Sequence, residues 1–165
     1  MTDQKIIIRK ARESDYEAIN AMVSADMVEY KKIYPEKYRD DLSRPLGRGS
    51  FINSIDSYEK DWKYFVAEKS GHVIGFIELE VISGEGNRIR KSSKYVNVNE
   101  LLVAPDSHRQ GAGTLLMKQA ETWARQRKIS QLYLDVFHFR QPAQALYASL
   151  GYKSYTQTLR KTLDK

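Results

Sequence analysis

A loop containing two glycines stands out in NELLVAPDSHRQGAGTLLMKQAETWARQ, residues 99–126, because it joins an apolar strand to an amphipathic helix. Gly111 and Gly113 fall in the expected first turn of that helix, where backbone N–H groups lack intrahelical partners and the helix dipole adds positive charge. Glycines let an anion approach this backbone, and Arg109 adds a full positive charge beside it. The pattern indicates a phosphate or pyrophosphate site. A tight turn with nothing bound is the alternative.

Two common phosphate loops do not fit this stretch. The sequence HRQGAGTLL, residues 108–116, lacks the Lys-Ser/Thr pair of a Walker loop and the spacing of the three-glycine dinucleotide fingerprint. The strand before it also belongs to a predicted antiparallel meander rather than to a βαβ unit. The loop is therefore expected in a different kind of fold.

The elements that precede the loop begin with a short strand and a helix. The strand is KIIIRKA, residues 5–11. Ser14 and Glu17 have the spacing of a capping box, which predicts a helix running to about Tyr30. The pattern then loosens as far as Ser57, where proline and glycine interrupt it.

Three strands of a meander follow, rich in β-branched and aromatic residues. They are WKYFVAEK at 62–69, HVIGFIELEVI at 72–82 and KYVNVNELLV at 94–103. Ser70 and Gly71 fit a tight hairpin between the first two. The basic run NRIRKSSK, residues 87–94, is interpreted as a solvated hairpin loop.

The chain beyond the loop alternates between helix and strand. The predicted elements are a helix from near Gly111, a strand SQLYLDVF at 130–137, a helix QPAQALYASLG at 141–151 and a last strand YKSYTQTL at 152–159. Pro142 near the start of the last helix and Gly151 just past its end support those bounds. No linker or repeat is visible, so we expect one domain over residues 1–165.

Composition excludes several classes of protein. No apolar run is long enough to span a bilayer, and the first residues do not form a secretory signal, so a cytoplasmic protein is expected. Cysteine is absent, which removes thiolate catalysis and cysteine metal sites. His72, His108 and His138 are not spaced as ligands, so no metal is predicted. The net charge is +6, but the basic residues are scattered among acidic ones, which argues against a nucleic-acid surface. Attraction of an anionic ligand explains the positive charge equally well.

The loop resembles the central motif of the GNAT superfamily of acyl-CoA-dependent N-acetyltransferases. In that family a strand ending L-x-V-x-P leads to Q/R-x-x-G-x-G/A at a helix start, and Leu101, Val103 and Pro105 match its first part. Gly111 and Gly113 match its second part. A second family signature, A-x-x-L/A-Y-x-x-x-G-F/Y, is seen as AQALYASLGY from Ala143 to Tyr152. The order of elements agrees over nearly the whole chain.

The resemblance implies an α/β fold with a mixed, mostly antiparallel sheet flanked by helices, in which the fourth and fifth strands are parallel and splay apart around acetyl-CoA. The pantetheine arm would pair with strand backbone, and the pyrophosphate would lie over the loop. The residues it implies for the cofactor are Leu101, Leu102, Val103, His108, Arg109, Gln110, Gly111, Ala112, Gly113, Thr114 and Arg140. His108 and Arg140 depart from the family pattern, which has Gln or Arg and Asn there, and a surface position is favoured for Arg140.

The implied reaction is direct attack of a primary amine on the thioester. Glu100 is the preferred proton acceptor and Glu78 and Glu80 are weaker candidates, with a solvated role as the alternative for all three. Unbroken strand alternation would put Val96, Val98, Glu100 and Leu102 on one face. A backbone N–H near Val103 would stabilise the oxyanion.

Tyr147 would protonate the leaving thiolate, as its counterpart does in many relatives. The alternative is that it only packs, because Ala143, Leu146, Tyr147 and Leu150 share one helical stripe. The acceptor amine would contact residues 29–51, whose tyrosines and carboxylates could form a rim for a cation. The rim residues are Tyr30, Tyr34, Tyr38, Glu29, Glu36, Asp40 and Asp41. The interspersed lysines fit an ordinary solvated helix pair at least as well.

The acceptor's identity stays open between a small amine, an aminoglycoside-like compound, an amino acid and a protein N-terminus. A non-catalytic acyl-CoA sensor or interaction module is the competing function. A homodimer is compatible with the sequence.

Overall fold

The computed structural model describes residues 5–42, 45–56 and 61–163, in two units that we describe separately. The first unit, which ends at Asp135, contains five strands and three helices. The strands are β1 (Ile7–Lys10), β2 (Trp62–Lys69), β3 (His72–Gly84), β4 (Ser93–Val103) and β5 (Leu132–Leu134). The helices are α1 (Tyr16–Ile33), α2 (Arg48–Asp56) and α3 (Ala112–Gln126). Short 3₁₀ turns lie at Glu13–Asp15, Pro35–Lys37 and Pro105–Ser107.

The strands form one mixed sheet in the order β1-β2-β3-β4-β5. The first four are antiparallel neighbours, and β5 runs parallel to β4. The predicted α/β fold class is therefore confirmed. Ser70 and Gly71, both with positive φ, form the predicted two-residue turn between β2 and β3. That one domain covers the whole chain stays a prediction.

The sheet of the first unit is covered by helices on both faces. Helix α3 packs its apolar stripe against one face, where Leu116, Met117 and Ala120 are fully buried. The other face carries a core cluster with α1 and α2, made of Tyr16, Ile19, Phe51, Tyr64, Val66 and Phe76. Burying each large apolar side chain contributes roughly 1.5–3 kcal/mol, which fixes the sheet between these two layers. No helix among the described residues is long and apolar enough to cross a bilayer.

The start of α1 differs from the predicted capping box of Ser14 and Glu17. Asp15 is the N-cap of α1 but makes no side-chain cap hydrogen bond to that helix. Its carboxylate instead closes the preceding 3₁₀ turn: it accepts the Arg12 backbone N–H at 2.7 Å and two guanidinium nitrogens of Arg9 at 2.7 and 2.9 Å. Burial would raise the pKa of Asp15, but these hydrogen bonds lower it below its ordinary value. The helix then continues to Ile33, slightly beyond the predicted end.

A β-bulge in β4 overturns the predicted alternation of that strand. Val98 is opposite Leu79 and Glu100 is opposite Glu78, so Asn99 is an extra residue with no counterpart on β3. One extra residue shifts the alternation by one position. The expectation that Glu100 and Leu102 share a face with Val96 and Val98 was therefore wrong, because the two pairs lie on opposite faces.

The second unit begins at Val136 and contains α4 (Gln141–Ser149). Gly151, with φ of 87°, follows the helix as predicted, and the Tyr152 N–H closes its end on the Tyr147 carbonyl at 3.0 Å. The predicted strand at 152–159 was wrong, since the described residues 152–163 contain neither helix nor strand. Strand β5 is also shorter than the predicted 130–137. Both errors have one cause: strand propensity forms a strand only where another strand pairs with the backbone.

Candidate active site

The loop after β4 contains two residues in the left-handed backbone conformation, which few residue types adopt. A 3₁₀ turn at Pro105–Ser107 is followed by Arg109 with φ of 60° and Gly111 with φ of 89°. Gly111 is the N-cap of α3, and a Cβ built on it would meet no heavy atom within 4 Å. Glycine is therefore favoured here by its left-handed conformation and not by crowding. The space that a side chain would fill is open to a ligand.

The first turn of α3 has the backbone geometry that the predicted anion site requires. The Leu115 N–H donates to the Gly111 carbonyl at 3.0 Å, which is the first hydrogen bond of the helix. The N–H groups of Ala112, Gly113 and Thr114 precede it and have no intrahelical acceptor. These N–H groups lie at the positive end of the helix dipole, where a phosphate oxygen would be stabilised.

Two positive side chains lie at this loop, and sequence reasoning found one of them. Arg109 is exposed within the loop. Lys69, at the end of β2, donates through Nζ to Gln110 Oε1 at 2.9 Å. Gln110 in turn donates through Nε2 to the Asp106 carbonyl at 3.1 Å, so it holds Lys69 beside the loop. Lys69 is distant in sequence, and only the sheet brings it here.

The edge of β4 beside the loop is open, as the predicted splay requires. Pairing with β5 stops at Val98 and Leu134, whereas β4 continues to Val103. The Ala104 N–H donates to the Ile74 carbonyl on β3 at 2.8 Å. By alternation, Leu102 also directs its backbone polar groups toward β3, while Leu101 and Val103 direct theirs to the open edge. Leu102 is thus not available for the backbone pairing that the sequence implied.

His108 has a structural contact in the loop. Its Nε2 lies 2.8 Å from the Val103 carbonyl oxygen, which can only accept, so the imidazole donates. This bond ties the end of β4 to the loop and uses one acceptor of the open edge. The Leu101 groups and the Val103 N–H are left facing the gap.

The carboxylates Glu78 and Glu100 are opposite each other on β3 and β4, and Tyr64 is opposite Glu78 on β2. The three therefore form a row on the sheet face that packs with α1 and α2. The Tyr64 hydroxyl donates to Glu78. Burial raises the pKa of Glu78 above its ordinary value, and the charge of Glu80 adds to this, although the hydrogen bonds from Tyr64 and Asn99 oppose it.

Asn99, the bulge residue, connects this row to its neighbours. Its Nδ2 donates to Glu80 Oε2 at 3.1 Å, and its Oδ1 accepts from Asn97 Nδ2 at 2.5 Å. It also donates to Glu78. Sequence reasoning missed both Asn99 and Tyr64. Two successive polar residues, Asn99 and Glu100, interrupt the alternation and are a signal for the bulge, whereas Tyr64 resembles any other core tyrosine.

The segment after α1 approaches the carboxylate row. Tyr38 stacks on Tyr30 with ring centroids 5.9 Å apart. Burial raises the pKa of Tyr38, and the charges of Asp26 and Glu100 raise it further. Tyr38 therefore lies within electrostatic range of both Asp26 and Glu100, and Asp26, a buried residue of α1, was not among the predicted rim residues.

Part of the predicted acidic rim is occupied by the chain's own lysines. Asp40 accepts from Lys31 Nζ at 2.7 Å, and this bond lowers the pKa of the aspartate. Lys37 lies over the Tyr34 ring at 5.0 Å. These contacts agree with the alternative of a solvated helix pair for that stretch.

The remaining predicted site residues belong to the second unit. Tyr147 lies in α4, half-buried, with its ring centroid 5.8 Å from that of Tyr152. Arg140 immediately precedes α4, and its guanidinium lies 5.7 Å from the Phe139 ring centroid. Their roles in catalysis and cofactor binding stay predictions. Among the described residues, no group of three His, Asp or Glu side chains could hold a metal ion.

Solved structures of other proteins share this fold. A mutant of the BH1408 protein from Bacillus halodurans has the same fold, with a TM-score of 0.87 at 19% identity over 95% of this chain and 99% of the other. A predicted acetyltransferase from Clostridium acetobutylicum, solved with acetyl-CoA, gives a TM-score of 0.70 at 16% identity, covering 96% of each chain.

A third structure, the aminoglycoside N-acetyltransferase AAC(6')-Iy in complex with CoA, gives a TM-score of 0.69 at 16% identity, over 97% of this chain and 95% of the other. Identities this low show the fold alone. No curated protein sequence matches the chain significantly. Residues 19–152, however, match the acetyltransferase (GNAT) family in sequence. The chain therefore belongs to the acetyltransferase (GNAT) family.

Proposed function

We propose that this protein is an acetyl-CoA-dependent N-acetyltransferase that transfers the acetyl group to a primary amine by direct attack. The observation that carries the proposal is the open edge of β4 beyond Val98, which leads directly into the anion-binding first turn of α3. One feature suits the amide-bearing pantetheine arm and the other suits the pyrophosphate of the same molecule. Two of the structural relatives were solved with acetyl-CoA or CoA, which supports the choice of ligand.

The residues proposed to bind the cofactor divide into two groups. The N–H groups of Ala112, Gly113 and Thr114 would hold the pyrophosphate, with Gly111 leaving the approach open. Arg109, Gln110 and Lys69 would surround it with donors and positive charge.

At the open edge of β4, Leu101 would pair with pantetheine amides through its backbone. His108 would fix this edge by its bond to the Val103 carbonyl. Arg140 is retained as a weaker candidate for the cofactor, on the resemblance alone.

Glu100 is proposed as the group that takes the proton from the attacking amine, directly or through water. The row formed with Glu78 and Tyr64 supports this choice. Two carboxylates opposite each other attract a cationic amine. Their mutual repulsion also makes either carboxylate a better proton acceptor. Tyr38 lies within electrostatic range of both Glu100 and Asp26, and Tyr38 and Asp26 would contact the acceptor.

The reaction would transfer the acetyl group from sulfur to nitrogen: the amine nitrogen forms a bond to the acetyl carbon, and the bond from that carbon to sulfur breaks. The Val103 N–H would donate to the thioester oxygen while negative charge develops there. Tyr147 would supply the proton that the departing thiolate takes up, a role that rests on the family resemblance. The acetyl group is supplied by the cosubstrate, and the protein's own groups bind, orient and move protons.

Two measurements, made one after the other, test the proposal. Calorimetry should detect acetyl-CoA binding to the wild-type protein, and a panel of amines, from diamines and aminoglycosides to amino acids and peptides, should then show release of free thiol. No binding of acetyl-CoA would overturn the proposal. Binding without turnover on any amine would instead favour the non-catalytic acyl-CoA module.

A further inference from the structure

Three cations from distant parts of the chain meet where β1 ends, β2 begins and α3 ends. Lys10 is opposite Phe65 in the β1–β2 pair, and Lys63 lies two residues from Phe65 along β2, on the face away from the α1–α2 core. Long side chains in such a diagonal position are within reach of each other. Helix α3 packs against both strands on this face, and its C-cap residue is Arg127. The fold therefore brings three positive charges together.

The ammonium of Lys63 interacts with the other two charges. Burial lowers the pKa of Lys63, and the charges of Lys10 and Arg127 lower it further. Among the described residues, no side chain forms a hydrogen bond or an ion pair with the ammonium of Lys10 or Lys63. Lys63 is half-buried, and a half-buried ammonium without an acceptor is unfavourable. An anion at this place would be stabilised.

Arg127 is held in position by α3. Its guanidinium lies 4.0 Å from the centre of the Trp123 ring, and Trp123 is buried. Its backbone N–H closes the helix on the carbonyls of Ala124 and Arg125. A guanidinium presents a planar set of donors that matches two oxygens of a phosphate. Because this one is already ordered, it loses little conformational entropy when it binds an anion.

Two features of the chain oppose these positive charges but do not balance them. The C-terminal end of α3 carries about half a negative charge from the helix dipole. Burial lowers the pKa of Arg127, and the charge of the exposed Asp61 opposes this change. Three cations against one carboxylate and one helix end leave an excess of roughly one and a half positive charges. That excess suits a dianion.

We propose that Lys10, Lys63 and Arg127 form a binding site for a phosphate dianion, either inorganic phosphate or the phosphate of a small ester. The site is distinct from the loop at the start of α3, because the 15 residues of the helix separate its two ends by about 22 Å. A bound phosphate would connect the β1–β2 pair to the end of α3 and stabilise the folded protein.

A phosphate titration followed by NMR at the indole N–H of Trp123 is the direct test, because Arg127 lies on that ring and the signal is remote from the loop. Ionic strength is kept constant with chloride. Lys63→Gln should bind phosphate at least about tenfold more weakly than wild type, since one charged donor is lost. Lys118→Gln is the matched control, because it removes the same charge from an exposed position of α3, and its affinity should stay within about twofold. A parallel titration with glycerol 3-phosphate shows which form of phosphate is preferred.

Thermal melts provide a second measurement at the same site. In chloride alone, Lys63→Gln should melt at or above the wild-type Tm because it relieves repulsion, and phosphate should raise the wild-type Tm by more than that of Lys63→Gln. The proposal would be overturned if the Trp123 signal responded to neither ligand. Equal affinities in Lys63→Gln and Lys118→Gln would also overturn it, because general attraction to a positive protein gives that result. A lower Tm of Lys63→Gln in chloride, with no effect of phosphate on wild type, would show that Lys63 serves the fold alone.

Discussion

Glu78, Glu80 and Glu100 are close in space but differ in their surroundings. Glu78 is held by Tyr64 and by Asn99, and burial raises its pKa. Glu80 accepts from Asn99 at 3.1 Å. Glu100 lies opposite Glu78 and near Tyr38. Sequence reasoning selected Glu100 but could not see the bulge that turns it toward this group.

Replacing Glu100 by Gln removes the proposed proton acceptor while keeping the size of the side chain. We expect kcat on the best amine to fall by about 10²-fold, with acetyl-CoA affinity nearly unchanged, because the loss concerns proton transfer. Steady-state kinetics across pH check this. Glu80→Gln is the control and should cost less than about tenfold. Equal losses in the two variants would mean that Glu100 has no special role.

The raised pKa of Glu78 should make the stability of the folded protein depend on pH. Its pKa is raised in the folded state, so folding binds a proton there between the unfolded and folded pKa values, and stability falls as pH rises through that range. Glu78→Gln removes the penalty and should raise Tm at neutral pH by about 2–4 °C, the change that roughly 1 kcal/mol gives in a chain of this size.

The gain from Glu78→Gln should vanish below the ordinary pKa of a glutamate, where the wild-type side chain is protonated in both states. Calorimetric melts at several pH values measure this difference. A gain that is the same at every pH would show that ionisation of Glu78 is not its cause.

Removing the Tyr147 hydroxyl tests the catalytic role that the family resemblance implies for this residue. Tyr147→Phe keeps the ring that contacts Tyr152 and removes the hydroxyl. If the hydroxyl protonates the thiolate, kcat should fall by about 10²-fold, the lower end for a general acid, because a thiolate is a good leaving group. Tyr155→Phe serves as a control at an exposed tyrosine. Wild-type turnover in Tyr147→Phe, with chemistry rate-limiting, would make Tyr147 a packing residue.

At the scale of elements, the strands with strong local signals were predicted well and the irregular ones were not. Strand β2 has the predicted bounds because apolar residues, aromatic residues and a two-residue turn all agree there. The bulge at Asn99 was not predicted, although two successive polar residues, Asn99 and Glu100, interrupt the alternation at that point. The last strand was overpredicted because residues 152–159 have the composition of a strand, and local sequence does not show whether another strand pairs with them.

The segment between α1 and α2 should determine which amine is accepted. Tyr38 stacks on Tyr30 and lies near the charges of Asp26 and Glu100. We expect Tyr38→Ala to raise KM for the amine by about tenfold, since it removes a ring contact with a cation. Acetyl-CoA affinity should stay within about twofold. The control is Tyr34→Ala, whose ring is covered by Lys37. A loss of acetyl-CoA affinity in Tyr38→Ala would count against a separate acceptor segment.

At the scale of the whole molecule, family membership rests on the match over residues 19–152, whereas the proposed acetyl-CoA chemistry rests on the loop and on the open edge of β4. The loop and its glycines were predictable because helix N-termini that bind anions have a local signature. Lys69 and the carboxylate row were not, because they are assembled by pairing between distant strands.

Calorimetry of acetyl-CoA binding to Gly113→Val and Gly49→Val tests the central proposal most directly. Both glycines lie in helices, Gly113 in the first turn of α3 and Gly49 in α2. A Cβ built on Gly49 would meet nothing within 4 Å, so Gly49→Val adds a side chain without crowding. The wild-type protein and Gly49→Val should bind alike, whereas Gly113→Val should bind at least about 100-fold more weakly, because its side chain blocks the backbone N–H groups. Wild-type affinity in Gly113→Val would contradict the assignment of this loop to the pyrophosphate of acetyl-CoA.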